Sequence, residues 1–391
     1  MLEQRKVVTA APENSETPLD KVCSWVTPNR LFFVRNHFAA PAIDLSTWKL
    51  TVEGCVEEPM EWTWDDLAAL SERSVFATVE CAGNGRSFLR PAAPGVPWGA
   101  GAIGHGEFTG VPVRELLERA NIRPGAVEVL FEGADEGTES DHPALMHFAR
   151  SLPLAKALDP DTLLAFRMNG EPLEPAHGFP IRLFVPGWYG VASVKWLRRI
   201  EVLDRPFAGY FQSVKYTVRR PNAAGKLETV PVSSIAVKSE ILRPQPGTVL
   251  GLGANRVFGV AWAGERAVAE VEVSVDCGSS WQRAQLLGPR VPYSWRLWEY
   301  RWEVAEPGSY TLLARAIADD GQMQPLTHDP RNGGYMIHHS RPITVRVVRS
   351  RRVEDQPSDA DWILYDMNAY AEENTRFPLD LELEFALGEG I

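Results

Sequence analysis

A strand-like run, Val75-Phe76-Ala77-Thr78-Val79-Glu80, ends in Cys81-Ala82-Gly83-Asn84-Gly85-Arg86. Its Val and Phe residues suit a pleated surface, and the Gly-Asn-Gly triplet turns the chain at once. One thiol therefore sits at a strand end, with a guanidinium following in the same turn. Strand ends followed by glycine turns are places where a side chain meets a ligand and the backbone approaches it closely. A thiolate there is a nucleophile, a redox group or a soft metal ligand. A single cysteine taken alone is more often a small buried hydrophobe.

The chain of 391 residues suggests two or three domains. Its 45% hydrophobic and 23% charged residues suffice for sizeable cores. Residues 1–28 are polar and read as a loose N-terminal arm. Residues 29–228 mix strands with short helices: Trp48–Gly54 alternates as a strand, Trp64–Leu70 and Val113–Ala120 read as helices, and Ile181–Val185 is a buried strand ended by Pro186-Gly187. No regular strand–helix alternation appears and no G-x-G-x-x-G follows a strand, which removes a dinucleotide site. Over 229–350 the texture becomes short alternating strands with turn signals, as in Ala269–Asp276, Tyr310–Ala316 and Ile343–Val348. That pattern predicts an immunoglobulin-like β-sandwich. Residues 351–391 form an acidic extension containing several aromatics, either packed or flexible. The fold class expected is thus α+β: a mixed domain followed by a sandwich.

A net charge of −11 argues against nucleic-acid and anionic-membrane partners. An anionic substrate would need a local cluster of arginines working against that field. The four cysteines, Cys23, Cys55, Cys81 and Cys277, form no C-x-x-C pair, so zinc ribbons and thioredoxin-type chemistry are not expected. No apolar stretch approaches the roughly 20 residues of a membrane span. With no export signal visible, the expected location is cytoplasmic.

Other segments carry polar groups inside apolar runs. Leu31-Phe32-Phe33-Val34-Arg35-Asn36-His37-Phe38 places three such groups together, and burying them unpartnered would cost several kcal/mol. They belong to an exposed loop or face an anionic, hydrogen-bonding ligand. His177-Gly178-Phe179-Pro180-Ile181-Arg182 repeats the theme, and Ser193-Val194-Lys195-Trp196-Leu197 adds a cation. Asp135 alone reads as a turn aspartate. Together these residues suit a large phosphorylated cofactor holding a soft metal: thiolate for the metal, cations for phosphate, amide and carboxylate for a heterocycle.

The chain resembles the sulfite oxidase family of molybdenum enzymes over about residues 29–348. The resemblance rests on five motifs in family order: Phe-x-Arg-Asn-His at 33–37, Cys-Ala-Gly-Asn-x-Arg at 81–86, Leu-Leu-Ala-Phe-x-Met-Asn-Gly at 163–170, His-Gly-Phe-Pro-x-Arg at 177–182 and Ser-Val-Lys-Trp-Leu at 193–197. It implies Cys81 as the protein ligand of molybdenum. It implies Phe33, Arg35, Asn36, His37, Asp135, His177, Arg182, Ser193, Val194 and Lys195 as molybdopterin-binding residues. Arg35 and Arg86 match arginines that hold the sulfite anion, Tyr216 a tyrosine beside the metal, and Trp98 a pocket tryptophan. Arg296 resembles an arginine contributed by the sandwich, or is a cation stacked between Trp295 and Trp298. Oxidation of sulfite to sulfate, a homodimer formed through the sandwich and an unidentified electron acceptor follow from the same resemblance. The alternatives are a reductase of nitrate or a sulfoxide on the same cofactor, or a non-catalytic cofactor-binding or interaction protein. The chain departs from the family at Gly85, where animal enzymes carry a second arginine, and at Arg331–Gly334 and His338-His339.

Overall fold

The computed structural model describes residues 4–22 and 24–349; the acidic extension expected over 351–391 lies outside the described residues. The described chain forms a mixed α+β unit followed by a β-sandwich, as expected. No described helix is long and apolar enough to cross a membrane.

The first unit rests on two five-stranded sheets. One is antiparallel and contains Arg73–Glu80, Ile103–Pro112, Leu163–Met168, Glu171–Pro172 and Arg182–Phe184. The other runs Met60–Thr63, Lys49–Gly54, Leu197–Leu203, Glu128–Glu139, His142–Pro153, with Lys49–Gly54 parallel to Leu197–Leu203. The helices are short. Trp64–Ala68 starts at a capping box between Thr63 and Asp66, and Val113–Arg119 buries Val113, Leu116 and Leu117. These three join Leu50, Phe131 and Ile200 in the largest apolar core.

The N-terminal arm is a correction. Lys6–Ala10 and Glu13–Glu16 form a hairpin whose second strand pairs with Val34–Arg35. Asn14, Ser15, Glu16, Thr17 and Trp25 are buried. The polar side chains are there as bonding partners: Thr17 Oγ1 donates to Ile103 O (2.7 Å) and accepts from Phe33 N (3.1 Å), and Asn14 Oδ1 accepts from Asn36 N (2.9 Å). Buried polar groups persist where they are hydrogen-bonded, and composition alone cannot tell such a group from a solvated one.

The second unit stacks a four-stranded sheet (Lys238–Arg243, Gly253–Trp262, Arg296–Val304, Gln285–Leu287) on a five-stranded one (Val249–Gly251, Ile343–Val348, Gly308–Ala318, Val268–Ser274, Gln282–Arg283). Val257, Trp298, Val271, Val273, Ala316 and Val345 fill the space between them, as the alternation of inward apolar residues requires. The two units meet at a buried ionic node. Glu80 Oε1 accepts from Lys238 Nζ (3.1 Å) and Asn84 Nδ2 (3.0 Å), and Glu80 Oε2 accepts from Trp262 Nε1 (2.9 Å). Glu80 immediately precedes Cys81.

Candidate active site

The turn after Arg73–Glu80 is built by its small residues. Cys81 N donates to Ala102 O (2.9 Å), and Cys81 O accepts from Asn84 N (2.9 Å). Asn84 ties the turn to both neighbours, donating to Glu80 and accepting from Ala102 N (3.1 Å). Gly85 has φ +92°, and a Cβ on Gly83 would lie 2.3 Å from Arg86 Nη2. Arg86 folds back over the turn only because position 83 has no side chain. Cys81 ends up buried, at the wall of a cleft lined from both sheets and the segment after Val34.

At the thiol end stand Arg35, His37 and Tyr216. Arg35 Nη2 donates to Tyr216 Oη (3.2 Å), and His37 Nε2 lies 2.7 Å from the same oxygen. The His37 ring stacks on Phe148 at 4.5 Å. Burial lowers the Arg35 guanidinium, but the Tyr216 and Cys81 groups outweigh it and the net shift is upward. Burial pushes the Cys81 thiol up, with Arg35 and Arg86 pulling against it. Burial and then Arg35 and Lys195 hold His37 well below the usual imidazole range. Burial raises Tyr216 to about 12. Both His37 and Tyr216 are therefore neutral near pH 7.

At the far end, Arg182 Nη1 and Nη2 donate to His177 O (3.1 Å) and Ser193 O (3.2 Å). Ser193 Oγ accepts from Val185 N (3.1 Å). Lys195 Nζ donates to Ala176 O (2.8 Å) and to Asn36 Oδ1, and lies 4.3 Å from the Trp196 ring centroid. Burial lowers Lys195 and His177 well below their usual ranges and Arg182 to about 10. Burial raises Asp135 to about 7. Asp135 Oδ1, His177 Nε2 and Arg182 Nε are buried with no partner. Such groups normally find partners. Three of them in one cleft, beside more cations than carboxylates, fit an anionic ligand rich in hydrogen-bonding groups.

Of the residues singled out from sequence, Phe33, Arg35, Asn36, His37, Cys81, Asp135, His177, Arg182, Ser193, Lys195 and Tyr216 line this one cleft. Four others do not. Val194 is a core residue whose carbonyl accepts from Leu183 N (2.8 Å). Trp98 is buried in the apolar cluster that contains Cys81. Arg86 is held by Val96 O (2.9 Å) and Gly334 O (3.0 Å), and acts on Cys81 through its charge. Arg296 lies in the sandwich and donates to Gly288 O (3.0 Å), because its strand pairing aims it along that sheet. The residues that sequence reasoning missed are Asn14, which accepts from Arg35 Nη1 (3.2 Å), Phe148, and Tyr335 of the sandwich, whose ring lies 4.8 Å from that of Tyr216. None of the three carries a local mark of its own in the sequence; Tyr335 falls between the departures at Arg331–Gly334 and His338-His339.

The architecture and the cleft define a molybdopterin-binding oxidoreductase fold joined to a sandwich. Residues 37–211 match the oxidoreductase molybdopterin binding domain, and residues 230–339 match the Mo-co oxidoreductase dimerisation domain. Mitochondrial sulfite oxidase of Drosophila melanogaster is 36% identical over 88% of this chain and 63% of its own length. Sulfite oxidase of Gallus gallus is 33% identical over 82% of this chain and 72% of its own. The sulfane dehydrogenase SoxCD of Paracoccus pantotrophus superimposes with a TM-score of 0.76 at 29% identity, covering 87% of each chain. The chain belongs to the sulfite oxidase family. It spans 62–63% of the length of the Drosophila and Rattus norvegicus relatives. Nitrate reductase of Hordeum vulgare is also similar, at 33% identity over 38% of that protein.

Proposed function

We propose that this chain oxidises sulfite to sulfate, using molybdenum held by molybdopterin and by the Cys81 thiolate. The observation that carries this reading is one cleft that holds the buried thiol, the Arg35–Tyr216–His37 cluster and a cradle with three unpartnered polar atoms. When bound, the molybdenum centre supplies the oxygen-atom transfer and takes up the electron pair. The protein supplies the rest. His177, Asp135 and Arg182 offer bonds to a pterin, while Lys195 and Arg182 offer charge to its phosphate. Arg35 keeps its charge in a buried place and draws an anion toward the thiol, against the protein's net negative field. It also fixes the anion's orientation. The Tyr216 hydroxyl, shared with neutral His37, can hold or pass a proton beside the reacting atoms.

The match to a dimerisation domain supports assembly as a homodimer, and the electrons leave to a separate acceptor. The test is elemental and pterin analysis with sulfite-dependent dye reduction, in wild type and Cys81→Ser. Molybdenum with sulfite turnover in the wild type, and retained pterin with very low turnover in the serine variant, are the expected results. Nitrate or sulfoxide reduction without sulfite oxidation would overturn the substrate, and a fully active serine variant would overturn the ligand.

A further inference from the structure

The segment Gly334-Tyr335-Met336 belongs to the second domain, yet it touches the first at three separate points. Gly334 O accepts from Arg86 Nε (3.0 Å). Met336 N donates to Ala82 O (2.8 Å), next to Cys81. The Tyr335 ring packs on Tyr216 at 4.8 Å and 33°, and the Arg86 guanidinium lies 5.3 Å from the same ring's centroid. The half-buried ring of Tyr335 is thus shared by Tyr216 of the cleft and by Arg86 of the Cys81 turn.

The chain spends conformational freedom to keep this segment in place. Met336 sits at φ +49° and Tyr216 at φ +51°, a left-handed conformation that non-glycine residues adopt only where surroundings enforce it. The enforcement is visible. Buried Asn332 Nδ2 donates to Met336 O (3.3 Å), Arg220 Nη2 reaches Met336 Sδ (3.4 Å), and Ile337 is buried beneath Gly85. A cation over an aromatic face and two packed rings favour one rotamer over its neighbours.

We propose that Tyr335 is a positioning residue for the oxidation: its ring, supplied by the second domain, seats Tyr216 at the thiol end of the cleft and holds Arg86 against the turn that carries Cys81. This rests on the sulfite reading for its kinetics but not for its geometry. The contacts are made by the ring, so Tyr335→Phe preserves the function and Tyr335→Leu removes it.

The experiment compares these two variants of the full-length holoenzyme with wild type, by steady-state sulfite kinetics and by crystal structures. Displacing a catalytic group by about 1 Å costs up to about a hundredfold in rate. Tyr335→Leu is expected to lower kcat/KM by roughly ten- to a hundredfold, with Tyr216 and Arg86 in new rotamers. Tyr335→Phe is expected to stay within about threefold, with both side chains in place. Should the leucine variant fail to fold, Tyr335→Met, closer in volume, is read in the same way. The proposal is overturned if the leucine or methionine variant keeps wild-type kcat/KM, if the phenylalanine variant falls as far, or if Tyr216 and Arg86 keep their places without the ring. A wild type that turns over no sulfite sinks the substrate reading instead, and the rotamers still decide the role of Tyr335.

Discussion

His37 Nε2 and Tyr216 Oη lie 2.7 Å apart, and burial keeps both groups uncharged at neutral pH from opposite directions. Moving a proton from the phenol to the imidazole would make a tyrosinate and an imidazolium, which burial opposes, so the hydroxyl keeps its proton and donates it to His37 as a hydrogen bond. Tyr216→Phe removes the oxygen that His37 and Arg35 share. Its kcat for sulfite should fall about a hundredfold, with a smaller change in KM, in a dye-coupled assay. An unchanged kcat would show that the phenol takes no part.

Arg35 holds the cleft's thiol end through Tyr216 and Asn14. Loss of a charged hydrogen bond of about 1.5–3 kcal/mol predicts a KM for sulfite raised roughly ten- to a hundredfold in Arg35→Gln, with slower turnover. Arg296→Ala, remote from the cleft, should stay within about twofold. Reversal of the two results would restore Arg296 to the pocket.

Gly85 stands out as a departure from the resembled family, but its φ is +92° and a Cβ there would lie 3.2 Å from Ile337 Cγ2, so the position faces the second domain. Gly85→Arg should therefore leave KM for sulfite no lower than in wild type. It should also destabilise the protein by about 1–2 kcal/mol, the cost of a side chain in the left-handed region. Thermal unfolding and kinetics on the same preparation check both halves.

Lys238 and Glu80 are each 2% exposed. Removing one partner of a buried pair costs about 3–5 kcal/mol, because the other is left uncompensated. Lys238→Met should lower the unfolding midpoint sharply, and the double change Lys238→Met with Glu80→Gln should recover part of the loss. A single variant as stable as wild type would mean the node contributes nothing.

Asp135, raised to about 7 by burial, has an unfolded value near 3.9. The folded chain holds this proton to higher pH than the unfolded chain, so the stability it confers is present below about pH 4 and lost as pH rises through about 7. The wild-type minus Asp135→Asn stability difference in cofactor-free protein should decline over that window. Urea midpoints measured across it would reveal a flat difference if the carboxyl were not perturbed.

Much of the site could be read from sequence because its residues sit in short local patterns: the strand-to-turn at Cys81 and the polar groups of 35–37, 177–182 and 193–195. The sandwich strands were legible because one face of each is buried and alternation survives. The hairpin of 6–16 was not, since its buried polar residues are satisfied by partners far along the chain, such as Ile103 for Thr17. Arg296 misled for the complementary reason. An arginine between tryptophans has a distinctive neighbourhood in sequence, but its direction depends on the strand pairing with Gly253–Trp262. Tyr335 lacks any local mark, and its partnership with Tyr216 exists only once the two units are assembled.

The carboxylate of Glu80 has a consequence for how such a chain can be recombined. The change in texture near residue 229 looks like a place where a gene could be cut and a different sandwich attached. A foreign sandwich without a lysine at the level of Lys238 and an indole at the level of Trp262 would strand a buried negative charge, one residue from the thiol. The junction is a seam in composition and not in energetics, and the two halves can be exchanged only as a matched set.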